Sequence, residues 1–378
     1  MRSLTPWDVK LEKRSLAQDI AKGLCILFVL QLHGIQLTKE IIYPFYAIVS
    51  FSMASFFFFS GYNYRDKGLP LKKLMGQRIG KLLKTYITWT LAVFVIMGAY
   101  FLIRKDARIE DILKSFLASI LSESGCKMIG WKLPISLFQH VLAPYWFIQY
   151  LITSSIIFYV SVGFCLKSLK KLIAVTVILS GISAVFIHFN IYLPWGLHVA
   201  PSIAAIMLAG AWFGRYRETF DSSKNYLLTV ILSIVSLAVV DLIEIGFPGA
   251  GVLGAGLLGE VAGPVEVVFS YLISIFGSYF LVNFGRLIEK VPVISKGLIW
   301  LGQHTMIIFL IHRPIAYIIR DAMGLPHFIS GDPLYIDHVT LSNLIAFLLM
   351  FAVMVPLVIL HDRLKGRDLQ SLFIRSHT

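Results

Sequence analysis

The sequence has little of what a soluble or secreted domain relies on. Only 15% of its 378 residues are charged, 57% are hydrophobic and the mean hydropathy is +0.77; ordinary soluble domains carry about 25% charged and about 45–50% apolar residues. One buried core cannot absorb that surplus, so a soluble globular enzyme is excluded. Cysteine is scarce: Cys25, Cys126 and Cys165 stand far apart, with neither metal-site spacing nor a disulfide framework. They read as packing residues, and no metal ligand set is visible. No Asn-x-Ser/Thr sequon occurs, so nothing points to secretory glycosylation. Low-complexity tracts, a clear internal repeat and an attached soluble domain are also missing. Acids are the scarcer charge, 21 against 34 Lys and Arg, for a net +13. Such an excess fits nucleic acid, anionic lipid or an anionic substrate, and in so apolar a chain nucleic acid is not an expected partner.

Long apolar runs are what the chain has instead. A span needs roughly 20 mostly apolar residues to cross about 30 Å of hydrocarbon. Ten runs qualify: 20–37, 41–61, 85–103, 143–165, 172–189, 198–214, 226–244, 264–285, 297–318 and 340–361. Residues 246–263 are apolar but glycine-rich, and read as an outer loop or a re-entrant segment shielded by protein. The nineteen polar residues before the first run, with no small-residue cleavage site after it, predict a retained first span rather than a signal peptide. With ten spans, one face receives 25 of the 34 Lys and Arg. Cytoplasmic loops are enriched in those residues, so both termini are expected in the cytoplasm. That face is net +16 and everything else is net −3, which makes the overall charge a sidedness signal. The expected fold is an all-α integral membrane protein. It has a cytoplasmic segment 1–19, a ten-helix membrane domain 20–361 and a cytoplasmic tail 362–378, with 104–142 as an external loop or cap.

Ionisable residues within spans are costly and default to functional candidates. In the first span Asp19 and His33 share a helix face about 21 Å apart, Asp19 at the cytoplasmic edge and His33 in the outer half. A histidine bonded to a neighbouring helix is the plain alternative. His312, followed by Arg313 and Pro314, lies sixteen residues past Lys296, at a depth matching His33. That shared depth is the best residue-level pointer to a site. The second span ends Ser55-FFFF-Ser60-Gly61-Tyr62, a core or lipid-facing stripe with small residues that allow close helix approach. The third is preceded by a basic amphipathic stretch, 64–84, in which Arg78, Lys81 and Lys84 spread over about 120° of a helix. Such a face suits a polyphosphate, although on charge alone positive-inside anchoring is the plainer explanation. Tyr145-Trp146-Phe147 opens the fourth span and has an interfacial aromatic belt as its default explanation. Two GxGxxG matches between Gly249 and Gly259 follow no strand of a βαβ unit and are set aside. His327 and Asp332 match an HxxxxD acyltransferase spacing, but in an outer loop away from any cytosolic donor.

Taken in order, Arg14…Asp19-IA-Lys22-Gly23…His33, FFFFSGY (56–62), RIGKLLKTY (78–86), YWF (145–147) and LGQHTMIIFLIHRP (301–314) resemble the acyltransferase 3 family of integral membrane acyltransferases. The likeness is closest to the fucose 4-O-acetylase-like, polysaccharide O-acetyltransferase type. It implies transfer of an acyl group, usually acetyl from acetyl-CoA as a donor substrate rather than a resident cofactor, to a hydroxyl of a carbohydrate or cell-envelope glycan. It also implies a bacterial inner membrane location. On that resemblance His33 is the catalytic histidine, joined by His312, Asp19 and Arg313. Arg14, Lys22, Arg78, Lys81, Ser60 and Tyr62 fall at positions expected to hold the acyl-CoA. Thr85 replaces a proline common in the family, and Lys22 an arginine, which removes bidentate phosphate pairing at that position. A polytopic transporter or a lipid-linked glycan flippase is the alternative reading, although internal inverted repeats are not found.

Overall fold

Among the described residues of the computed structural model, every regular element is helical. The structure describes residues 15–35, 46–66, 68–121, 138–142, 145–189, 191, 193–216, 264–325 and 340–364, with a few isolated positions between 231 and 238. The helices are α1 (Leu16–Gly34), α2 (Tyr46–Tyr62), α3 (Leu71–Arg104), α4 (Ile109–Leu121), α5 (Gln139–Leu142), α6 (Trp146–Cys165), α7 (Leu169–His188), α8 (Ala200–Arg215), α9 (Pro264–Ile288), α10 (Pro292–Gln303), α11 (Thr305–Ala322) and α12 (Leu341–Leu364). Among the described residues, five helices are long and apolar enough to cross a membrane: α3, α6, α7, α8 with its leading turn, and α12. The bent pair α10–α11 makes a sixth if it counts as one span. The run expected at 226–244, apart from those isolated positions, all of 246–263, and residues 122–137 of the outer segment lie outside the described residues.

The chain divides into two compact units, one built from residues 50–85 and 148–284, the other from 16–49, 86–147 and 285–378. In the first unit α2 and α8 cross closely because glycines face carbonyls in both directions. A Cβ on Gly61 would strike the Met207 carbonyl, one on Gly210 that of Phe58, and one on Gly214 that of Tyr62. Small residues let helix backbones approach in this way where lipid offers no hydrophobic drive. Phe57, Phe58 and Phe59 are buried, so the phenylalanine run is core rather than lipid-facing. Ser55 and Ser278 add a hydroxyl contact at 2.9 Å, which Ser278 donates. At the start of α8, Trp195 and Gly196 both have positive φ (57° and 65°), and Tyr150 fills the space a side chain at 196 would need.

In the second unit α1 lies along α10, with α11 beside it. A Cβ on Gly23 would collide with the Leu298 carbonyl, one on Gly302 with that of Asp19, and one on Gly285 with that of Ala17. This contact supplies a paired test. Gly297, on the same α10, is exposed and its Cβ would meet nothing within 4 Å. Gly302→Ala is expected to destabilise by about 1–3 kcal/mol, since backbone cannot yield as a side chain does. Gly297→Ala should be neutral or gain up to about 1 kcal/mol of helix propensity. Thermal unfolding of the two purified variants in detergent measures the difference.

Two expectations are refined. The third span was expected at 85–103, yet α3 begins at Leu71, so the basic stretch and the span are one helix of 34 residues. Thr85 makes this possible: unlike a proline it keeps its backbone N–H, and its hydroxyl donates back to the Lys81 carbonyl at 3.0 Å. The single span expected at 297–318 is instead two helices meeting at an 84° bend. Pro314 does not cause it; the break falls at His304, whose backbone (φ −105°, ψ 11°) has left the helical region. In the outer segment, α4 lays Phe116 against Phe94 (4.1 Å between ring centres) and against Phe138 (5.6 Å). That part of 104–142 is therefore packed on α3.

Candidate functional site

His33 closes the last turn of α1 and His312 sits in the middle of α11, and the two rings stack with centroids 5.4 Å apart and planes inclined by 28°. The depth match expected from sequence thus becomes direct contact. His312 is fully buried and His33 half-buried. The Nδ1 of His312 faces the carbonyls of Phe309 (2.8 Å) and Ile308 (3.2 Å). Carbonyls only accept, so Nδ1 carries the hydrogen and Nε2 of the neutral ring presents its lone pair. That Nε2 is buried and has no hydrogen-bond partner among the described residues. Arg313, the next residue along α11, is buried as well.

Pro314 explains how α11 is held here. A proline inside a helix cannot donate to the carbonyl four residues back, which is that of Leu310. The hydroxyl of Tyr145 donates to that carbonyl at 3.0 Å. Phe147 packs on Phe309 at 5.1 Å, and Phe309 lies 5.8 Å from the His312 ring. Tyr145 and Phe147 are buried, so this pair of the YWF motif braces the histidine helix and is no interfacial belt. Sequence reasoning missed the connection; the signal was an intrahelical proline whose orphaned carbonyl requires a donor. Beyond the histidines, Asp321 accepts from both Tyr100 and Lys105 of the α3 end, tying down the far end of α11.

The bend is fixed by a second pair that sequence reasoning did not select. His304 Nδ1 lies 2.6 Å from the Trp300 carbonyl and Nε2 lies 2.5 Å from Asp362 Oδ2 on α12. Both side chains are buried. With the Trp300 carbonyl at Nδ1 and the Asp362 carboxyl at Nε2, hydrogen bonds hold the ring from both sides. His361 Nδ1 stands 3.5 Å from the other carboxyl oxygen.

The remaining candidates separate. Asp19 is buried and its carboxylate lies 3.8 Å from Lys22 Nζ; on the same helix it stays about 21 Å from His33. In the other unit, Arg78 Nη2 donates to Ser60 Oγ at 2.8 Å, joining the RIGK and FFFFSGY motifs. Tyr62 is buried with its ring stacked on Phe58, and Lys81 is exposed one turn beyond Arg78. Arg14 lies outside the described residues.

The histidine helix, its brace and the ordered motifs agree with one comparison. The model of the acyltransferase 3 family, an acyltransferase domain, matches residues 16–363. The chain belongs to the acyltransferase 3 family. The match takes in both histidines, the brace and the Asp362 pair, and it makes the protein a membrane acyltransferase. Neither the curated proteins nor the solved structures give a significant match to this acyltransferase 3 member.

Proposed function

We propose that the protein moves an acyl group, acetyl in the first instance, from acyl-CoA to a hydroxyl of a carbohydrate or other cell-envelope acceptor. The observation that carries this is the stacked pair His33–His312 with Arg313 buried alongside, inside helices that match an acyltransferase family. Ten spans with both termini cytoplasmic, in a bacterial inner membrane, are part of the same reading. They are supported by the alternation of basic and non-basic loops. In the proposed reaction an imidazole of the pair takes the acceptor hydroxyl proton as general base. The acceptor oxygen bonds to the thioester carbonyl carbon, the C–S bond breaks, and the proton passes to the leaving CoA thiolate. A transient acyl-imidazole is the covalent variant of the same chemistry. Arg313 faces the charge that develops on the carbonyl oxygen. Arg78, held by Ser60, and the exposed Lys81 are the proposed contacts for CoA phosphates, with Arg14, Lys22 and Tyr62 as further candidates. Asp19 is assigned to positioning α1 rather than to the chemistry, because it is buried by Gly302 and distant from His33.

The test is release of free thiol from acetyl-CoA by the purified protein in proteoliposomes, with an extracted envelope glycan as acceptor. An acyltransferase releases thiol and O-acetylates the glycan. A transporter or flippase, the alternative, leaves the thioester intact.

A further inference from the structure

One feature of the first unit plays no part in the proposed chemistry. Between α7, α8 and α9 runs a groove of about 710 Å³, with Leu172, Ile173, Gly181, Trp212, Thr176 and Tyr271 among its lining residues. It extends along α7 from Leu169 to Ala184, about 22 Å at the helical rise, longer than one hydrocarbon leaflet of about 15 Å. Its wall is almost wholly apolar. The Thr176 and Tyr271 hydroxyls, 3.5 Å apart, spend their polarity on each other. Ile173 and Val177 stay largely exposed, and at Gly181 a Cβ would meet nothing within 4 Å.

The two ends differ. Leu169 of α7 and Trp212 and Phe213 of α8 line the same end, because Arg215 at the close of α8 donates to the Leu166 carbonyl just before α7. That end carries Lys167, Lys170, Lys171 and Arg215. No Asp or Glu occurs anywhere from residue 145 to residue 215. The Lys171 ammonium lies 4.7 Å from the centre of the Phe164 ring, and Lys167 and Lys170 are exposed. A long apolar channel with cations and, among the described residues of α7 and α8, no acid at one mouth is complementary to a hydrocarbon chain ending in an anion. The polar amides of a pantetheine arm would find almost no partner along such a wall.

We infer that this groove holds one acyl chain of an anionic phospholipid, with the lipid phosphate set among Lys167, Lys170 and Lys171. The lipid is a bound ligand of the α7–α9 face and takes no part in acyl transfer, so the inference stands apart from the proposed function. Basic residues at a membrane surface attract anionic headgroups, and an enclosing wall adds chain contacts that ordinary boundary lipid lacks.

Native mass spectrometry of the full-length protein, titrated with dioleoyl phosphatidylglycerol or dioleoyl phosphatidylcholine, tests it. One phosphatidylglycerol should be retained with roughly tenfold preference over phosphatidylcholine. Gly181→Trp, which fills open space, should remove the retained lipid of either headgroup. Lys170→Gln with Lys171→Gln should abolish the preference while leaving a chain bound. Unchanged lipid retention in Gly181→Trp, or equal retention of the two headgroups by the wild type, would overturn the inference. So would preferential displacement of phosphatidylglycerol by oleoyl-CoA, which would make the groove a donor site. Unfolding curves matching the wild type show that each variant is folded.

Discussion

His33→Ala is expected to reduce acyl transfer by at least about 10²–10⁴-fold, the usual contribution of a positioned acid–base group, while the protein still inserts and folds. His33 ends α1 half-buried, so its truncation leaves the packing of α1 on α10 in place. His312→Ala should fall by a similar factor. The double variant should be scarcely worse than either single one, because residues acting as a unit are not additive. Thiol release from acetyl-CoA measures all three. The two rings are not equivalent, however. The lone pair of His312 is directed by two carbonyls that hold the hydrogen on Nδ1. Asn at 312 can donate an amide N–H to the same carbonyls but cannot accept a proton, so it should restore folding and not turnover. Near-normal transfer by purified His33→Ala would remove the stacked pair from the chemistry.

The second large effect is on stability. His304→Ala should cost about 3–5 kcal/mol, because it removes the ring that is hydrogen-bonded to the buried Asp362 carboxyl. Replacing both members by leucine should recover most of that loss, since a buried ion pair is often no better than apolar packing. The midpoint of unfolding in detergent reports the cycle. The double variant should nevertheless transfer acyl groups slowly. His304 sits at the 84° bend, and eight residues beyond it the same helix carries His312. Loss of the pair frees the direction of α11 even where stability returns. Recovery of both stability and full turnover would show that the bend is set by backbone alone.

Much of the architecture is legible residue by residue. The apolar runs correspond to α1, α2, α6, α7, α8, α9 and α12 within a few residues, because hydrophobic length is a local property. Ser60-Gly61 was read as a close-approach point, and Gly61 does face the Met207 backbone. The third span was legible only in part: hydropathy marks where lipid begins and not where a helix starts, so the basic turns of α3 were separated from it. The bend at His304 could not be seen, since the surrounding residues are apolar on both sides. Asp362 is passed over, and Tyr145 is read as part of an interfacial belt, for a related reason. Each acts on a residue more than fifty positions away, Tyr145 on Leu310 and Asp362 on His304, and neither spacing has a period that sequence can reveal.

By itself the sequence determines an all-helical membrane chain and the order of motifs that places it in the acyltransferase 3 family. Those follow from composition and local periodicity, which survive without any knowledge of packing. Only the tertiary structure decides that His33 and His312 stack, that one ring must hold its hydrogen on Nδ1, and that Tyr145 supplies the donor Pro314 withholds. It alone bends the ninth apolar run at His304 and lines a hydrocarbon groove beside a cluster of lysines. Such facts depend on which helices are neighbours, and contacts between distant parts of a chain exist only once it has folded.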